Sequence, residues 1–257
     1  MRWRVTCLLL LPVLAASAYA NSINLGTAGS FAVLAGSTVT NTGSSVITGN
    51  LGVWPGTAVV GFPPGIVGGG TIHATDAVAL KAQNDLTTAY NAAAGLPLTV
   101  TLTGKDLGNM TLTPGVYFFA SSAQLTGTLT LNNLGNPNAL FVFQIGSTLT
   151  TASSSSVIFT NGLDTNVFWQ VGSSATLGTT SAFAGNILAL TSITMNNGAS
   201  ITCGSALARN GAVTLDNNVI DSRCGGSRTA VPEPGSISLM GSGLALLAGV
   251  VRRKLRP

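Results

Sequence analysis

Residues 141–150, from Phe141 to Thr150, read FVFQIGSTLT, and variants of this phrase recur along the chain. Copies begin near residues 31, 116, 168, 187 and 206. The positions that match one another are spaced by 26, 26, 19 and 19 residues, and they are Phe119, Ile145, Val171, Leu190 and Arg209. A repeat near 20 residues with short strands and Gly, Ser or Asn turns is typical of a β-solenoid. The repeat therefore predicts a mainly β chain with three short strands in each turn.

The strands of one turn differ in pattern. The first, as in residues 141–145, is apolar on both faces, so another element must cover its outer side. The second alternates, and the side chains predicted to point inward are Val39, Leu149, Leu177, Met195 and Leu215. The third is mixed. Residues 43–70 are rich in Gly and Pro and are expected to form a cap or irregular loops.

One segment, residues 76–94, predicts a long α-helix that can cover the first face. Thr75 can cap it, Asp76 suits its first turn, and Gly95 and Pro97 end it. A helix of this length spans about 28 Å, enough to cover about six strands. The side chains expected on its packed side are Val78, Leu80, Leu86, Tyr90 and Ala93.

The N-terminal residues 1–20 predict a secretory signal peptide that is removed near Ala20. Arg2 and Arg4 precede an apolar run, and Ala18-Tyr19-Ala20 supplies a small-x-small cleavage pattern. The alternative is a short transmembrane anchor. Residues 21–230 are then the mature domain.

The C-terminal residues 231–257 combine Pro232-Glu233-Pro234, the uncharged stretch 235–251 and a basic tail. In this order the three parts resemble the PEP-CTERM sorting signal of Gram-negative bacteria. The resemblance implies export, transient anchoring in the inner membrane, and processing near Pro-Glu-Pro by an exosortase-type enzyme. It places the protein at the cell surface or outside the cell. The alternative is a plain C-terminal membrane anchor.

The distribution of charge limits the possible partners. The whole chain carries a net charge of +4, but residues 21–230 contain five basic and six acidic side chains. A nucleic-acid-binding surface needs a basic stripe, so no nucleic-acid partner is expected. Only 7% of residues are charged, the aspartates are scattered, and His73 is the single histidine. We therefore expect no enzyme, no metal site and no cofactor. The alternative to be considered is a solenoid carbohydrate-active enzyme, which would need at least two carboxylates close in space.

Cys203 and Cys224 are the two cysteines outside the signal peptide. In an exported protein they are expected to form one disulfide that staples the last turns of the solenoid. Free thiols are the alternative.

The second strand of each turn presents an array of short polar side chains on its outer side. Neighbouring positions are about 6.7 Å apart along a strand and about 4.8 Å apart between strands. Threonine is also common in strands for reasons of propensity alone. The candidate binding residues are Thr38, Thr40, Thr148, Thr150, Thr176, Ser192, Thr194, Asn196 and Thr214. Thr126, Thr128 and Thr130 are expected to continue the array.

Residues 23–221 resemble the secreted microbial ice-binding proteins that have a discontinuous β-solenoid. The matching stretches include residues 23–53 (INLGTAGSFAVLAGSTVTNTGSSVITGNLGV), NVFWQVGSSATLGT and ALARNGAVTLDNN. The resemblance implies a right-handed, three-faced solenoid with one long helix along a face, and adsorption of the second-strand face to an ice crystal. Regular hydroxyls and methyls would order water there into an ice-like layer. Gly178, Ala212 and Asp216 interrupt the threonine pattern.

A second hypothesis is a surface or extracellular-matrix protein that binds polysaccharide, which the sorting signal favours. Exposed aromatic side chains on a flat face would distinguish it, and the second strand offers none.

Overall fold

The computed structural model describes residues 23–162 and 166–223. The predicted signal peptide, Cys224 and the Pro232-Glu233-Pro234 motif lie outside these residues. Among the helices of the described ranges, none has the length and apolar character needed to cross a membrane.

The described chain contains one 3-10 turn, one α-helix and 24 short strands. In chain order they are η1 (Gly26–Ser30), β1 (Phe31–Ala35), β2 (Thr38–Thr42), β3 (Val46–Thr48), β4 (Asn50–Val53), β5 (Ala58–Val60), β6 (Ile66–Gly68), β7 (Ile72–Ala74), α1 (Ala77–Ala94), β8 (Val100–Thr101), β9 (Thr111–Leu112), β10 (Gly115–Phe119), β11 (Ala123–Leu125), β12 (Thr128–Asn132), β13 (Phe141–Ile145), β14 (Leu149–Thr151), β15 (Ser156–Thr160), β16 (Val167–Val171), β17 (Ala175–Leu177), β18 (Ala182–Ala184), β19 (Asn186–Ala189), β20 (Ile193–Met195), β21 (Ser200–Thr202), β22 (Ala206–Ala208), β23 (Val213–Asp216) and β24 (Val219–Asp221).

The strands form three parallel sheets, one for each face of the solenoid. Sheet A has the order β7-β4-β1-β22-β19-β16-β13-β10-β8, sheet B has β11-β14-β17-β20-β23-β2-β5, and sheet C has β6-β3-β24-β21-β18-β15-β12-β9. In the turns that have a strand in all three sheets, the chain passes from A to B to C. The predicted mainly β, three-faced solenoid is confirmed.

The order of the turns is discontinuous along the sequence. The first turn, β1 to β3, pairs with the last turn, β22 to β24, on one side and with β4 to β6 on the other. Residues 43–70 therefore supply regular strands to all three sheets, with β5 and β6 as edge strands of sheets B and C, and the expectation of irregular loops was wrong. Their Gly and Pro residues lie mainly in the turns between these strands.

The alignment of the later repeats was wrong by one residue. Val171 lies opposite Ala189, and Ala189 lies opposite Ala208, so Leu190 and Arg209 are not the matching positions. The Leu190 N–H donates to the Val171 carbonyl at 2.9 Å, the slanted bond that a parallel pair makes one residue further along.

An aromatic stack fills the interior of the solenoid. The ring centroids of Tyr117 and Phe143 are 5.4 Å apart, those of Phe143 and Trp169 3.8 Å, and those of Trp169 and Phe183 4.8 Å. The buried Trp169 donates its indole N–H to the Ala184 carbonyl at 3.0 Å. Large side chains from successive turns thus support the sheets from within.

The helix α1 packs on the outer side of sheet A, as predicted. Its buried residues are Ala79, Ala82, Gln83, Leu86, Ala89, Tyr90 and Ala93. They meet outward-facing apolar side chains of sheet A, which include Leu34, Val142, Phe168, Leu188 and Leu207. The assignment of Val78 and Leu80 to the packed side was wrong, because both are exposed.

The N-cap of α1 is Asp76, one residue later than predicted. Its carboxylate accepts the Ala79 N–H at 2.8 Å and so satisfies a backbone donor of the first turn. Thr75 instead has a positive φ of 57° and lies before the cap. The helix therefore begins at Ala77 rather than at residue 76.

Two glutamine side chains join the helix to sheet A through hydrogen bonds. The buried Gln144 donates through Nε2 to the carbonyls of Ala93 at 2.8 Å and Leu96 at 2.9 Å, at the end of α1. Gln83 donates to the Ala208 carbonyl at 3.1 Å. These bonds satisfy polar groups that packing against the sheet removes from water.

Candidate functional site

The outer side of sheet B carries one row of side chains in exact register across all seven strands, which we call the central row. It runs Gln124, Thr150, Thr176, Thr194, Thr214, Thr40 and Val60, each opposite the next on the adjacent strand. Five consecutive members are threonines. Adjacent strands are about 4.8 Å apart, so the row presents a hydroxyl and a methyl at a constant repeat.

The alternation of the strands explains why the threonines point outward. In β17 and β20 the residues on either side of the central threonine are buried: Ala175, Leu177, Ile193 and Met195. A slip of one residue would expose this apolar set and bury the hydroxyls, so the register is strongly specified. The core thus fixes the geometry of the surface.

A second row lies two residues before the central row, and its hydroxyls are partly engaged. Ser122 and Thr148 share a hydrogen bond of 2.8 Å between their hydroxyls. Ser192 Oγ accepts the Ala212 N–H at 3.3 Å, and Ser174 Oγ accepts the Ser192 N–H at 3.4 Å. The row continues through Thr38 to Ala58, which lie opposite each other.

The five threonine hydroxyls of the central row differ in this respect. Within the described chain, none of them takes part in a hydrogen bond to another protein group, whereas hydroxyls of the second row do. Their hydrogen-bonding capacity is therefore directed to solvent. The hydroxyls of the row can bind water molecules at regular positions. The threonine methyls, which form no hydrogen bonds, limit the orientations that these water molecules can adopt.

The side of sheet B nearest to sheet C is less regular. Asn196 is exposed there, while Gly178 is buried, and an added Cβ would lie only 2.5 Å from the Ala152 carbonyl carbon and oxygen. The Asp216 carboxylate accepts hydrogen bonds from Asn197 and Asn217, both at 3.1 Å. The interruptions at Gly178 and Asp216 therefore fall at the margin of the face and leave the central row intact.

The central row ends at Gln124 on strand β11, and an open polar cavity of about 370 Å³ lies beside this residue. Lys105 and Asp106 lie in its lining, with Ser121 and Ser122. The flat part of the face therefore ends at β11. At the opposite end, Val60 is 55% exposed and continues the row with an apolar side chain.

The structure brings most of the candidate residues together on one face. Thr40, Thr150, Thr176, Thr194 and Thr214 form the central row, while Thr38, Thr148 and Ser192 lie in the second row. The extension to Thr128 and Thr130 was wrong. Both lie on β12 of sheet C, opposite Ser156 and Ile158, because the chain turns the corner at Gly127.

Sequence reasoning missed five positions in these two rows, one of which is Ser174, at the place of Thr148 in its copy of the repeated phrase. Gln124 and Ser122 occupy the same places in their copy of the repeated phrase as Thr150 and Thr148, so an alignment of the copies would have found them. Val60 and Ala58 were missed because residues 43–70 were not assigned to strands.

The titratable groups lie away from sheet B or at its margin. Within the described residues, no three His, Cys, Asp or Glu side chains are close enough to hold a metal ion. His73 Nδ1 lies 2.7 Å from Asp76 Oδ2 at the start of α1. The Ala79 N–H, and then His73, hold the pKa of Asp76 below its ordinary value. This pair therefore belongs to the helix cap.

Cys203 follows the last strand residue of β21 and has a positive φ of 52°. Its predicted partner, Cys224, lies outside the described residues, so the disulfide stays a prediction.

A three-faced β-solenoid with a helix along sheet A and a threonine row on sheet B defines a specific class of β-solenoid repeat protein. A sequence profile described as Ice-binding-like matches residues 33–221, and the chain belongs to this family. A second profile, the PEP-CTERM protein-sorting motif, matches residues 230–254 and supports export.

Individual relatives agree with this assignment. The chain is 61% identical to the "Ice-binding protein" of Nostoc sp. (strain HG1) over 236 residues, which cover 90% of this chain and 87% of that protein. It is similar to the crystal structure of an ice-binding protein from an Antarctic biological consortium, with a TM-score of 0.75 and 50% identity, over 78% of this chain and 90% of that one. It is also similar to that of the ice-binding protein from Antarctomyces psychrotrophicus, with a TM-score of 0.75 and 42% identity, over 79% and 99% of the two chains.

Proposed function

We propose that this protein is exported and adsorbs to ice through sheet B, and that it slows ice growth or recrystallisation without catalysing a reaction. The observation that carries the proposal is the central row, in which five threonines stand in register with their hydroxyls directed to solvent. The names of the relatives support the same function.

The mechanism follows from the regularity of the face. Hydroxyls that are fixed by the backbone hold water at a constant repeat, while the threonine methyls favour ordered water around apolar surface. This layer joins the crystal as it grows. The adsorbed protein then forces the ice front to curve between molecules, which lowers the local freezing temperature.

The contact surface consists of the central row together with flanking side chains. The residues proposed to contact the ordered water are Thr38, Thr40, Thr148, Thr150, Thr176, Ser192, Thr194, Asn196 and Thr214. The absence of charge from the described positions of the central row supports this role, because a charged group holds its own hydration shell. None of the seven residues of the central row is aromatic. Aromatic side chains would be expected on a polysaccharide-binding face, so their absence from this row favours ice as the ligand.

The terminal segments are proposed to serve delivery. Residues 1–20 act as the signal peptide, and residues 231–257 provide the sorting motif, with transient membrane anchoring before an exosortase-type enzyme acts. We propose no catalytic role for Asp76 and Asp85, because their carboxylates contact His73 and Lys81 at the helix and do not line a cleft.

A partition experiment tests the function directly. The fluorescently labelled protein is frozen slowly onto a cold probe, and its concentration in the ice is compared with that in the remaining liquid. We expect enrichment in the ice, together with smaller crystals in a recrystallisation assay. Exclusion from the ice as complete as that of a labelled protein with no affinity for ice would contradict the proposal.

A further inference from the structure

The end of the described chain is fixed at the corner where sheet C meets sheet A. After β24 in sheet C, Ser222 donates its backbone N–H and its Oγ to the Thr48 carbonyl, at 3.2 and 3.0 Å. Thr48 is the last residue of β3, and the chain there passes through Gly49 into β4 of sheet A. Ser222, next to the last described residue, is therefore held at this corner.

The N-terminal segment enters sheet A at the same corner, while its first residues, Ile23 and Leu25, pack with α1 over the outer side of sheet A. Residues of η1 lead directly into β1 of sheet A, and Asn50, the first residue of β4, donates to Ser30 Oγ at 3.1 Å. The Thr27 N–H donates to Asp85 Oδ2 at 2.7 Å and holds η1 against α1. The first and the last described residues of the chain thus lie on the side of the solenoid away from sheet B.

The corner that holds Ser222 lies opposite sheet B. A three-faced solenoid has three corners, and sheet B borders two of them. The corner between sheets C and A is the third, so a tether that starts at Arg223 begins opposite the central row.

We infer that the protein, while attached to a surface through its C-terminal segment, binds ice with the same face that it uses when free. It would then join the surface that carries it to an ice crystal. The inference rests on the proposed function, and it adds a second, simultaneous partner, the attachment surface. The chemistry of the ice contact is that of the central row and needs no further residue.

Attachment to beads at defined positions tests the inference with the full chain. One protein carries a biotin-acceptor peptide after Pro257. A second carries it between Gly135 and Asn136, which are exposed in the loop from β12 of sheet C to β13 of sheet A. A third carries it between Ser153 and Ser154, which are exposed in the turn from β14 of sheet B to β15 of sheet C. The second and third are matched insertions at different corners.

Each biotinylated protein is bound to streptavidin beads at equal density, and the beads are presented to an ice surface. We expect beads of the first two kinds to adhere. Adhesion of the third kind should be several-fold lower, because the bead lies at the edge of sheet B. Thermal unfolding of each unattached protein is measured to test whether the insertion is tolerated.

The outcomes separate the two proposals. If the unattached proteins inhibit recrystallisation but beads tethered after Pro257 do not adhere, or if all three kinds adhere equally, the inference is overturned while the proposed function stands. If the unattached full chain has no effect on ice, the proposed function itself fails.

Discussion

Thr176 and Thr194 lie directly opposite each other on the neighbouring parallel strands β17 and β20, although 18 positions separate them in the sequence. The buried pairs beside them, Ala175 with Ile193 and Leu177 with Met195, hold this register. Regular spacing on the surface is thus a consequence of packing in the core.

Extending the central row should strengthen ice binding. Val60 continues the row next to Thr40, and it is 55% exposed. Val60→Thr keeps the β-branched shape and adds a sixth hydroxyl in register, so we expect recrystallisation to be inhibited at a lower protein concentration. Val219→Thr on sheet C, where the valine is 49% exposed, is the matched control. Equal effects of the two changes would argue against a specific role of the row.

Removal of the Gln144 amide should destabilise the fold. Gln144→Ala leaves the carbonyls of Ala93 and Leu96 without their donor, at a buried junction between α1 and sheet A. An unsatisfied buried polar group costs about 1–3 kcal/mol, so the free energy of unfolding should fall by about that amount. Chemical denaturation measures it. Gln124→Ala, at an exposed position, is the control and should change the free energy of unfolding very little.

A side chain at Gly172 should disturb the corner between sheets A and B. A Cβ at this position would lie 2.4 Å from the Gly146 carbonyl oxygen of the adjacent turn, which is backbone and cannot rotate away. Gly172→Ala should lower the free energy of unfolding by about 1–3 kcal/mol, the usual cost of overpacking. In Gly68→Ala the nearest atom to the new Cβ is 3.9 Å away. If denaturation shows the same loss for both, the tight stacking of the corner is not the cause.

Acid should weaken the attachment of η1 to α1. The Lys81 ammonium, with the Thr27 N–H, holds the pKa of Asp85 below its ordinary value of 3.8. A lowered pKa in the folded state means that this stabilisation is present above the ordinary pKa and is lost as the pH falls through the folded-state value. The melting temperature should therefore fall below about pH 4, where aspartates titrate.

The variant Asp85→Asn provides the comparison for that acid effect. It should be less stable than the parent near neutral pH, and the difference between the two melting temperatures should shrink as the pH falls. A constant difference over the whole acid range would show that ionisation of Asp85 contributes nothing to stability.

Much of the fold could be predicted from the sequence because each copy of the repeat shows the same pattern of apolar and polar residues. The alternation in residues such as Leu149 and Thr150 identifies which side chains face outward, and the apolar first strand predicts a covering helix. The order of the turns could not be predicted in this way. Pairing of the first turn with the last, as in Thr40 opposite Thr214, joins segments that lie far apart in the sequence.

The boundaries of the site were harder to predict than its centre. Thr128 and Thr130 have the same alternating pattern as the threonines of sheet B, yet they belong to sheet C because a corner intervenes at Gly127. Val60 was hidden among Gly and Pro residues that indicate turns. Local patterns identify strands, whereas the position of a corner depends on how neighbouring turns stack.

The most direct test of the account compares one bulky substitution on two faces. Thr194→Tyr places a large ring in the middle of the central row, and Thr148→Tyr places one in the second row. Thr130→Tyr makes the same change at a half-buried threonine of sheet C, opposite Thr111 and Ile158. All three are compared with the parent by thermal unfolding and by ice recrystallisation.

We predict that Thr194→Tyr raises the protein concentration needed to inhibit recrystallisation by at least about tenfold, since loss of about 1.4 kcal/mol in adsorption suffices for that factor. Thr148→Tyr should have a smaller effect in the same direction, and Thr130→Tyr should act like the parent. A folded Thr194→Tyr protein with full activity, or an equal loss in Thr130→Tyr, would contradict the assignment of ice binding to sheet B.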